Sequence, residues 1–218
     1  MPKHTAPLPD WERALSCVAR LQRIVPDAVL GGETASAFRA NLTRLDAVLA
    51  QLESVAGLKT ARVQRPVEIL GNLDGIETGV RQLIRDEPLE TAVMDYSGAR
   101  ITVPSKAEVL RIKGVLILKR NATRDYLDFL ALADHLGDAD VALALQSFDR
   151  LYQQANGESP LQQLQVQLAN AQPYDVEETR PCEYANLDPR WHHWQTAKIA
   201  CSQLAIIIFD RVCDNALR

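Results

Sequence analysis

The spacing of apolar residues in the first quarter of the chain predicts helices with one short strand between them. Apolar positions recur every three or four residues over 10–24 and again over 33–54. The run at 28–30 is short and continuously apolar, as in a buried strand. Because 33–54 shows no apolar alternation, we expect that segment to be helical, with at most one break, and to contain no strand.

After Gly57 the pattern changes to alternation of apolar and polar residues, which is typical of half-buried strands. Asn72 to Gly75 has the composition of a turn, so the strand candidates on either side of it are expected to form a hairpin. Pro104 ends this region. The strand candidates are 60–64, 67–71, 76–83, 89–94 and 100–103.

The rest of the chain returns to helical spacing. The expected helices are 105–118, 123–136, 138–153, a short helix that ends near 168, and a long C-terminal helix that begins at Asp188 and Pro189. Strands followed by a block of helices indicate the α+β class. We therefore predict a small mixed sheet in a domain at 1–104 and a helical C-terminal part at 105–218.

Composition restricts the class of protein. The chain has 218 residues, 47% hydrophobic and 24% charged, and its net charge is -4. These values are typical of a folded globular protein and exclude a strongly basic scaffold for bulk nucleic-acid binding. No apolar run approaches the roughly 20 residues of a membrane span, so no membrane partner is expected. Four widely separated cysteines and an N-terminus without a signal-peptide pattern predict reduced thiols and a cytoplasmic location.

Positive charge is concentrated between residues 111 and 124. Lys113 lies inside an apolar helical run, where its amine either extends to solvent or meets an anion. Five cations in so short a segment of an acidic protein favour a phosphate-bearing ligand as the anion. The cations are Arg111, Lys113, Lys119, Arg120 and Arg124.

Two further features are ambiguous on their own. Gly31 and Gly32 follow the buried strand, where glycines either let a backbone approach a phosphate or form a tight turn into a helix. Asp125 and Asp128 are three residues apart and so share one helix face. Such a pair can hold a metal or orient a nucleophile and a lysine, or can be a solvated face with an Arg–Asp ion pair.

Taken together, several of these motifs resemble the nucleotidyltransferase-like AbiEii toxin family. The resemblance extends to about Gly137. It is carried by Gly31-Gly32 after a strand, by Val103-Pro104 through Glu108, by Ile112-Lys113, and by Arg120 and Arg124 through Asp128. It implies a minimal nucleotidyltransferase fold and transfer of a nucleotide from a nucleoside triphosphate, with Mg²⁺, to an acceptor such as tRNA or a protein. It also implies an antitoxin protein as partner.

The resemblance assigns a role to individual residues. Lys113 matches the conserved lysine, and Asp125 or Asp128 matches the late catalytic aspartate. The nucleotide-binding residues would be Gly31, Gly32, Arg120 and Arg124, and Glu77 would be a metal ligand. We expect Lys113, Arg120 and Arg124 to surround one concave site beside the two glycines.

The acidic pair that the family uses to hold its metal is missing. Between Gly32 and Arg44 the only acid is Glu33, and Asp46 falls within a helical pattern. Clustered carboxylates are what hold Mg²⁺ against a triphosphate. We therefore predict very weak or absent transfer. The alternative is a non-catalytic relic of the fold that binds a nucleotide or a partner protein.

Overall fold

The chain forms two compact units in a computed structural model. The structure describes residues 10–26, 28–30, 37–40, 45–65, 67–82, 85, 87–184 and 187–216. The first unit comprises residues 1–105 and contains the strands, and the second comprises residues 106–218 and is helical. The α+β class is thus confirmed.

In its described residues, the first unit contains a five-stranded sheet, two helices and a separate hairpin. Its main sheet has the strand order β1-β2-β5-β4-β3, and β6 pairs with β7 in a second sheet. The elements are α1 (Asp10–Ile24), β1 (Val29–Leu30), β2 (Ala37–Ala40), α2 (Leu45–Glu53), β3 (Leu58–Gln64), β4 (Glu68–Leu73), β5 (Ile76–Gln82), β6 (Thr91–Tyr96) and β7 (Ala99–Pro104).

The strand β2 contradicts the expectation that 33–54 contains no strand. Ala37 to Ala40 pairs in parallel with β5, from Ala37 opposite Gly79 to Ala40 opposite Gln82. Among the residues of this segment that the structure describes, the helical ones are those of α2. The prediction was wrong because the pairing is between residues about forty positions apart, and a four-residue strand is too short to show alternation. The strand also carries no acid, since its sequence is Ala-Phe-Arg-Ala.

Two hairpins, β4–β5 and β6–β7, are closed by two-residue turns with positive φ. Asp74 and Gly75 have φ of 52° and 87° between β4 and β5, which confirms the predicted turn. Ser97 and Gly98 have φ of 47° and 78° between β6 and β7. Two successive positive φ values give the type I′ turn, whose twist matches that of paired antiparallel strands.

The buried side chain of Gln22 ties the hairpin β6–β7 to helix α1. Its amide Nε2 donates to the carbonyls of Ala28 and Thr102, at 2.8 and 2.7 Å. Its Oε1 accepts from the backbone N–H of Thr102 at 2.9 Å. The glutamine therefore pairs with Thr102 as a neighbouring strand would, and satisfies backbone groups that burial would otherwise leave without a partner.

The second unit is built from helices around one apolar core. The predicted helix at 138–153 is divided in two near Gln146. The predicted C-terminal helix begins at Trp194 and not at Asp188, because Pro189–Trp191 forms a separate 3₁₀ helix. The other predicted helices of this unit are confirmed with small shifts of their ends. The helices are α3 (Lys106–Arg120), α4 (Thr123–Leu136), α5 (Asp138–Leu145), α6 (Phe148–Leu151), α7 (Pro160–Ala169) and α8 (Trp194–Ala216). Among the helices that the structure describes, none is both long and apolar enough to cross a membrane.

Close packing in this core depends on a glycine in α3. A Cβ on Gly114 would lie 3.0 Å from Leu164 of α7 and 3.2 Å from the ring of Phe148 of α6. Leu164 and Phe148 are both fully buried. Glycine at this position therefore lets α6 and α7 approach the backbone of α3 more closely than a Cβ usually permits.

Replacing Gln22 with alanine should destabilise the first unit. The substitution leaves the N–H of Thr102 and two buried carbonyls without partners, which we expect to lower the free energy of unfolding by at least about 2 kcal/mol. Urea denaturation followed by circular dichroism measures the loss, and hydrogen exchange should show a faster-exchanging Thr102 amide. Arg23→Ala, on the exposed side of the same helix, is the control; equal effects of the two variants would contradict the prediction.

Replacing Gly114 with valine should destabilise the second unit. The added atoms collide with Leu164 and Phe148, and overpacking of this kind lowers the free energy of unfolding by about 1–3 kcal/mol. Lys119→Val introduces the same β-branched residue at an exposed position of α3 and controls for helix propensity. Chemical denaturation of the two variants distinguishes them, and a Gly114→Val protein as stable as the control would refute the close-packing explanation.

Candidate functional site

The lysine selected by sequence meets a carboxylate in the structure. Lys113, from the middle of α3, donates from Nζ to Oδ2 of Asp128 in α4 at 2.7 Å. The lysine side chain is 17% exposed and the aspartate side chain 37% exposed. Of the two possibilities for the Lys113 amine, solvent or an anion, the structure shows the anion, and that anion is the Asp128 carboxylate of the protein itself.

Arg124 joins the same carboxylate from one helical turn away. Its Nε lies 3.9 Å from Oδ2 of Asp128, and its side chain is 58% exposed. The guanidinium also lies over the ring of Tyr184, 5.9 Å from the ring centroid. One carboxylate is thus shared by an ammonium group and a guanidinium group, so the trio carries a net charge of +1 at neutral pH.

Arg120 and Asp125 form a separate pair. The Nε and an η nitrogen of Arg120 reach the two carboxylate oxygens of Asp125, at 3.2 and 3.0 Å. This bidentate contact is the strong form of an Arg–carboxylate pair. The side chain of Asp125 is only 3% exposed, so its carboxylate is occupied in joining α3 to α4.

The concentration of five cations predicted from the sequence is therefore not one cluster. Arg111 is buried, pairs with the fully buried Glu108 at 2.9 Å and donates to the carbonyl of Ala144 at 2.7 Å. Lys119 is exposed on the last turn of α3. The structure brings Lys113 and Arg124 together at Asp128, while Arg111 and Arg120 hold other carboxylates.

Two residues that the sequence did not single out lie beside this site. The carboxylate of Asp175 accepts from the backbone N–H and the hydroxyl of Thr123, at 2.7 and 2.8 Å, and so caps α4. Burial alone would raise the pKa of Asp175, but these hydrogen bonds outweigh it and lower that pKa below its usual value. Burial, together with the Asp175 and Asp128 carboxylates, raises the pKa of Tyr184.

A sequence signal for Asp175 existed. The residue before α4 is Ala122, which has no side chain that can cap a helix, and it makes no cap hydrogen bond. A helix that begins in this way leaves its first N–H groups to water or to a cap from elsewhere in the chain. Asp175 supplies that cap from 52 positions along the chain.

The other candidate residues belong to the first unit. Gly31 and Gly32, together with Glu33, lie outside the described residues, so their proposed place beside Lys113 stays a prediction. Glu77 is exposed on β5 and lies opposite Asn72 of β4. Its assignment as a metal ligand likewise stays a prediction.

The described residues do not by themselves fit a magnesium ion. Within the described ranges, no three or more of the histidine, cysteine, aspartate and glutamate side chains come together in a group that could hold a metal. Asp125 and Asp128 are already paired with Arg120 and Lys113, at 3.0 and 2.7 Å. A magnesium ion normally takes one or more carboxylates with open coordination sites.

Comparison with known proteins gives similarity to part of a class of transport proteins. A stretch of 129 residues is 34% identical to the heme uptake protein MmpL11 of Mycobacterium tuberculosis and 32% identical to the mycolic acid-containing lipids exporter MmpL11 of Mycolicibacterium smegmatis. The match covers 58% of this chain and 13% of each relative. The chain thus corresponds to a small part of those proteins. No protein-family model matches it.

Two solved structures from Helicobacter pylori overlay loosely on the whole chain. One is described as a candidate nucleotidyltransferase, with 14% identity, a TM-score of 0.47 and 96% of each chain covered. The other is JHP933, with 15% identity, a TM-score of 0.43 and 97% of each chain covered. Overlays this loose do not assign a fold.

Proposed function

We propose that the chain is a nucleotidyltransferase-like protein of the AbiEii type that binds a nucleoside triphosphate through Lys113 and Arg124, with weak or absent transfer. The observation that carries the proposal is the hydrogen bond of 2.7 Å between Lys113 and Asp128. It joins the lysine and a late aspartate that the sequence resemblance selects, from two different helices.

The contacts favour Asp128 over Asp125 as the late aspartate. Asp125 is buried and held at both oxygens by Arg120. Asp128 is 37% exposed and shares its carboxylate with two cations whose own side chains reach solvent. A carboxylate in that position can orient Lys113 and accept a hydrogen bond from an acceptor hydroxyl. Asp125 then acts by holding α3 against α4.

Phosphate binding at this site is an exchange of partners. A triphosphate must compete with Asp128 for the Lys113 ammonium group and the Arg124 guanidinium group. Both cations make charge-assisted hydrogen bonds with phosphate oxygens, and a guanidinium can contact two oxygens at once. Arg124 is the more exposed of the two cations, and its Nε lies 3.9 Å from the Asp128 carboxylate. Its contact with Asp128 is therefore the easier of the two to replace by a contact with a ligand phosphate.

The proposal gives Mg²⁺ no ligand among the residues that the structure describes. In the family that the sequence resembles, the ion supplies charge stabilisation for phosphoryl transfer. The described residues do not fit it, so no step is assigned to it here. This is also the physical reason for the expected low activity: positioning and metal-borne charge supply most of the rate in phosphoryl transfer.

A second candidate is a binding module without catalysis. It is favoured by the similarity to MmpL11, in which a segment of 129 residues is 13% of a much longer transport protein. A segment that recurs as a small part of a larger protein suits binding of a nucleotide or a partner protein. The two candidates differ in one measurable property, the covalent transfer of a nucleotide. An antitoxin, and tRNA or a protein as acceptor, remain proposals under the first candidate.

Substitution of Lys113 should weaken nucleotide binding. Lys113→Ala removes a charge-assisted contact worth about 1.5–3 kcal/mol, so we expect the dissociation constant for ATP or GTP to rise about tenfold or more in equilibrium dialysis. Asp128→Asn should lower the dissociation constant, because it removes the carboxylate charge that competes with phosphate for the two cations. Lys119→Ala makes the same change of net charge at an exposed position and should have little effect.

The three variants separate the proposal from simple loss of stability. Circular dichroism confirms that each remains folded. Absence of binding of every nucleoside triphosphate to the unmodified protein would refute the proposed function. Equal losses in Lys113→Ala and Lys119→Ala would mean that the protein attracts anions by net charge and not through this site.

Transfer activity should be very weak or absent. The test is incubation of purified protein with each radiolabelled nucleoside triphosphate, Mg²⁺ and total tRNA. We expect little or no label on RNA or protein because metal ligands are missing from the described residues. Strong labelling that disappears in Lys113→Ala would contradict this expectation and would identify the chain as a full enzyme. Binding without labelling would favour the binding module.

A further inference from the structure

The strand β6 is the exposed outer strand of the hairpin β6–β7. Residues Thr91 to Asp95 are all exposed, and the side chains at its centre are apolar, with Val93 53% and Met94 38% exposed. In the part of the chain that the structure describes, β7 is the strand that pairs with β6. An open edge of this kind is a template for a further strand.

The inner strand β7 fixes which way the backbone groups point. The N–H and the C=O of Thr102 both bind the side chain of Gln22, on the side away from β6. In an antiparallel ladder, a residue whose backbone groups point outward faces a partner whose groups also point outward. Thr102 lies opposite Val93, so the N–H and C=O of Val93 point away from β7.

A second contact gives the same alternation independently. The N–H of Ser105 donates to the carbonyl of Glu90 at 2.9 Å, which makes that pair a hydrogen-bonded one. Counting along β6, Ala92 and Met94 then bind β7, whereas Thr91, Val93 and Asp95 point outward. Thr91 lies opposite Pro104, which has no N–H to donate, as the alternation requires.

We propose that β6 pairs antiparallel with β6 of a second copy of this chain, in the register that places Val93 opposite the second copy's Val93. Thr91 then faces the second copy's Asp95, and Asp95 faces the second copy's Thr91. Each of these pairs exchanges two backbone hydrogen bonds, because all of the residues point outward. The two hairpins become one continuous sheet, in the strand order β7-β6-β6-β7.

The sequence of β6 suits a second copy as the occupant. The two-fold axis passes through the pair of Val93 residues, so the neutral, apolar centre of one strand lies beside that of the other. The single charge of the strand, on Asp95, meets the hydroxyl of Thr91 and not another carboxylate. A shift of two residues in either direction would leave an outward residue of each strand without a partner.

A proline at position 93 tests the proposal without disturbing the hairpin itself. Val93→Pro removes an N–H that points outward, and proline is tolerated on the open side of an edge strand. Sedimentation equilibrium of the unmodified protein should show a mass that rises toward twice the monomer with concentration, and Val93→Pro should remain monomeric. Val93→Thr keeps the N–H and should behave as the unmodified protein. Hydrogen exchange at Ala92 and Met94 verifies that the hairpin is intact.

Cysteine cross-linking tests the register. In a background with Cys182→Ser and Cys213→Ser, Val93→Cys should oxidise to a disulfide-linked dimer, because directly opposite Cα atoms are about 5.5 Å apart. Asp95→Cys should not, because it faces the second copy's Thr91. A monomer at all concentrations, a dimer that persists in Val93→Pro, or equal cross-linking of the two cysteine variants would overturn the proposal.

Discussion

The helical unit depends on the neutralisation of charges that its packing removes from water. Glu108 is fully buried and is paired with Arg111, and Asp125 is held by Arg120. Removing an isolated ion from water costs far more than any single contact returns, so such groups stay buried only with a partner. Each pair also fixes geometry: Arg111 binds the carbonyl of Ala144 in α5, and Arg120 joins the end of α3 to the start of α4.

This constraint shapes what the candidate site can do. Lys113 and Arg124 share the carboxylate of Asp128, and the trio is more exposed than the two structural pairs. In the proposed exchange a ligand phosphate replaces Asp128 there, whereas Asp125 and Glu108 are held in the core by Arg120 and Arg111. The same contacts explain why the aspartates, which share a helix face in sequence, have different roles. One positions helices, and the other faces solvent beside two cations.

In the sheet unit a single side chain takes the place of a strand. Gln22 satisfies both backbone groups of Thr102, so β7 is bound at that residue on the edge away from β6. The hairpin is thereby fixed to α1 with β6 as its outer strand. The open hydrogen-bonding groups of β6 are a direct consequence of that arrangement. The strand β7 is bound by Gln22 on one side and by β6 on the other. The outward N–H and C=O groups of β6 are therefore the ones that the proposed second copy binds.

The sequence by itself determined the features that depend on neighbours in the chain: the helix α1, the hairpin turn at Asp74 and Gly75, and the order of strands before helices. Apolar spacing and turn composition are local signals, and local signals can be read from one sequence. It also selected Lys113, and Asp125 or Asp128 as alternatives, although not which of the two aspartates Lys113 would contact.

Tertiary structure alone decided the contacts between distant residues. The strand β2 forms by pairing with β5, about forty positions along the chain. The helix α4 is capped by Asp175 from more than fifty residues away. Gln22 binds Thr102, which lies eighty positions along the chain. Each of these contacts satisfies backbone groups or charges that local structure leaves open. Which distant side chain satisfies them depends on how the elements pack, and a pattern along the chain does not contain that information.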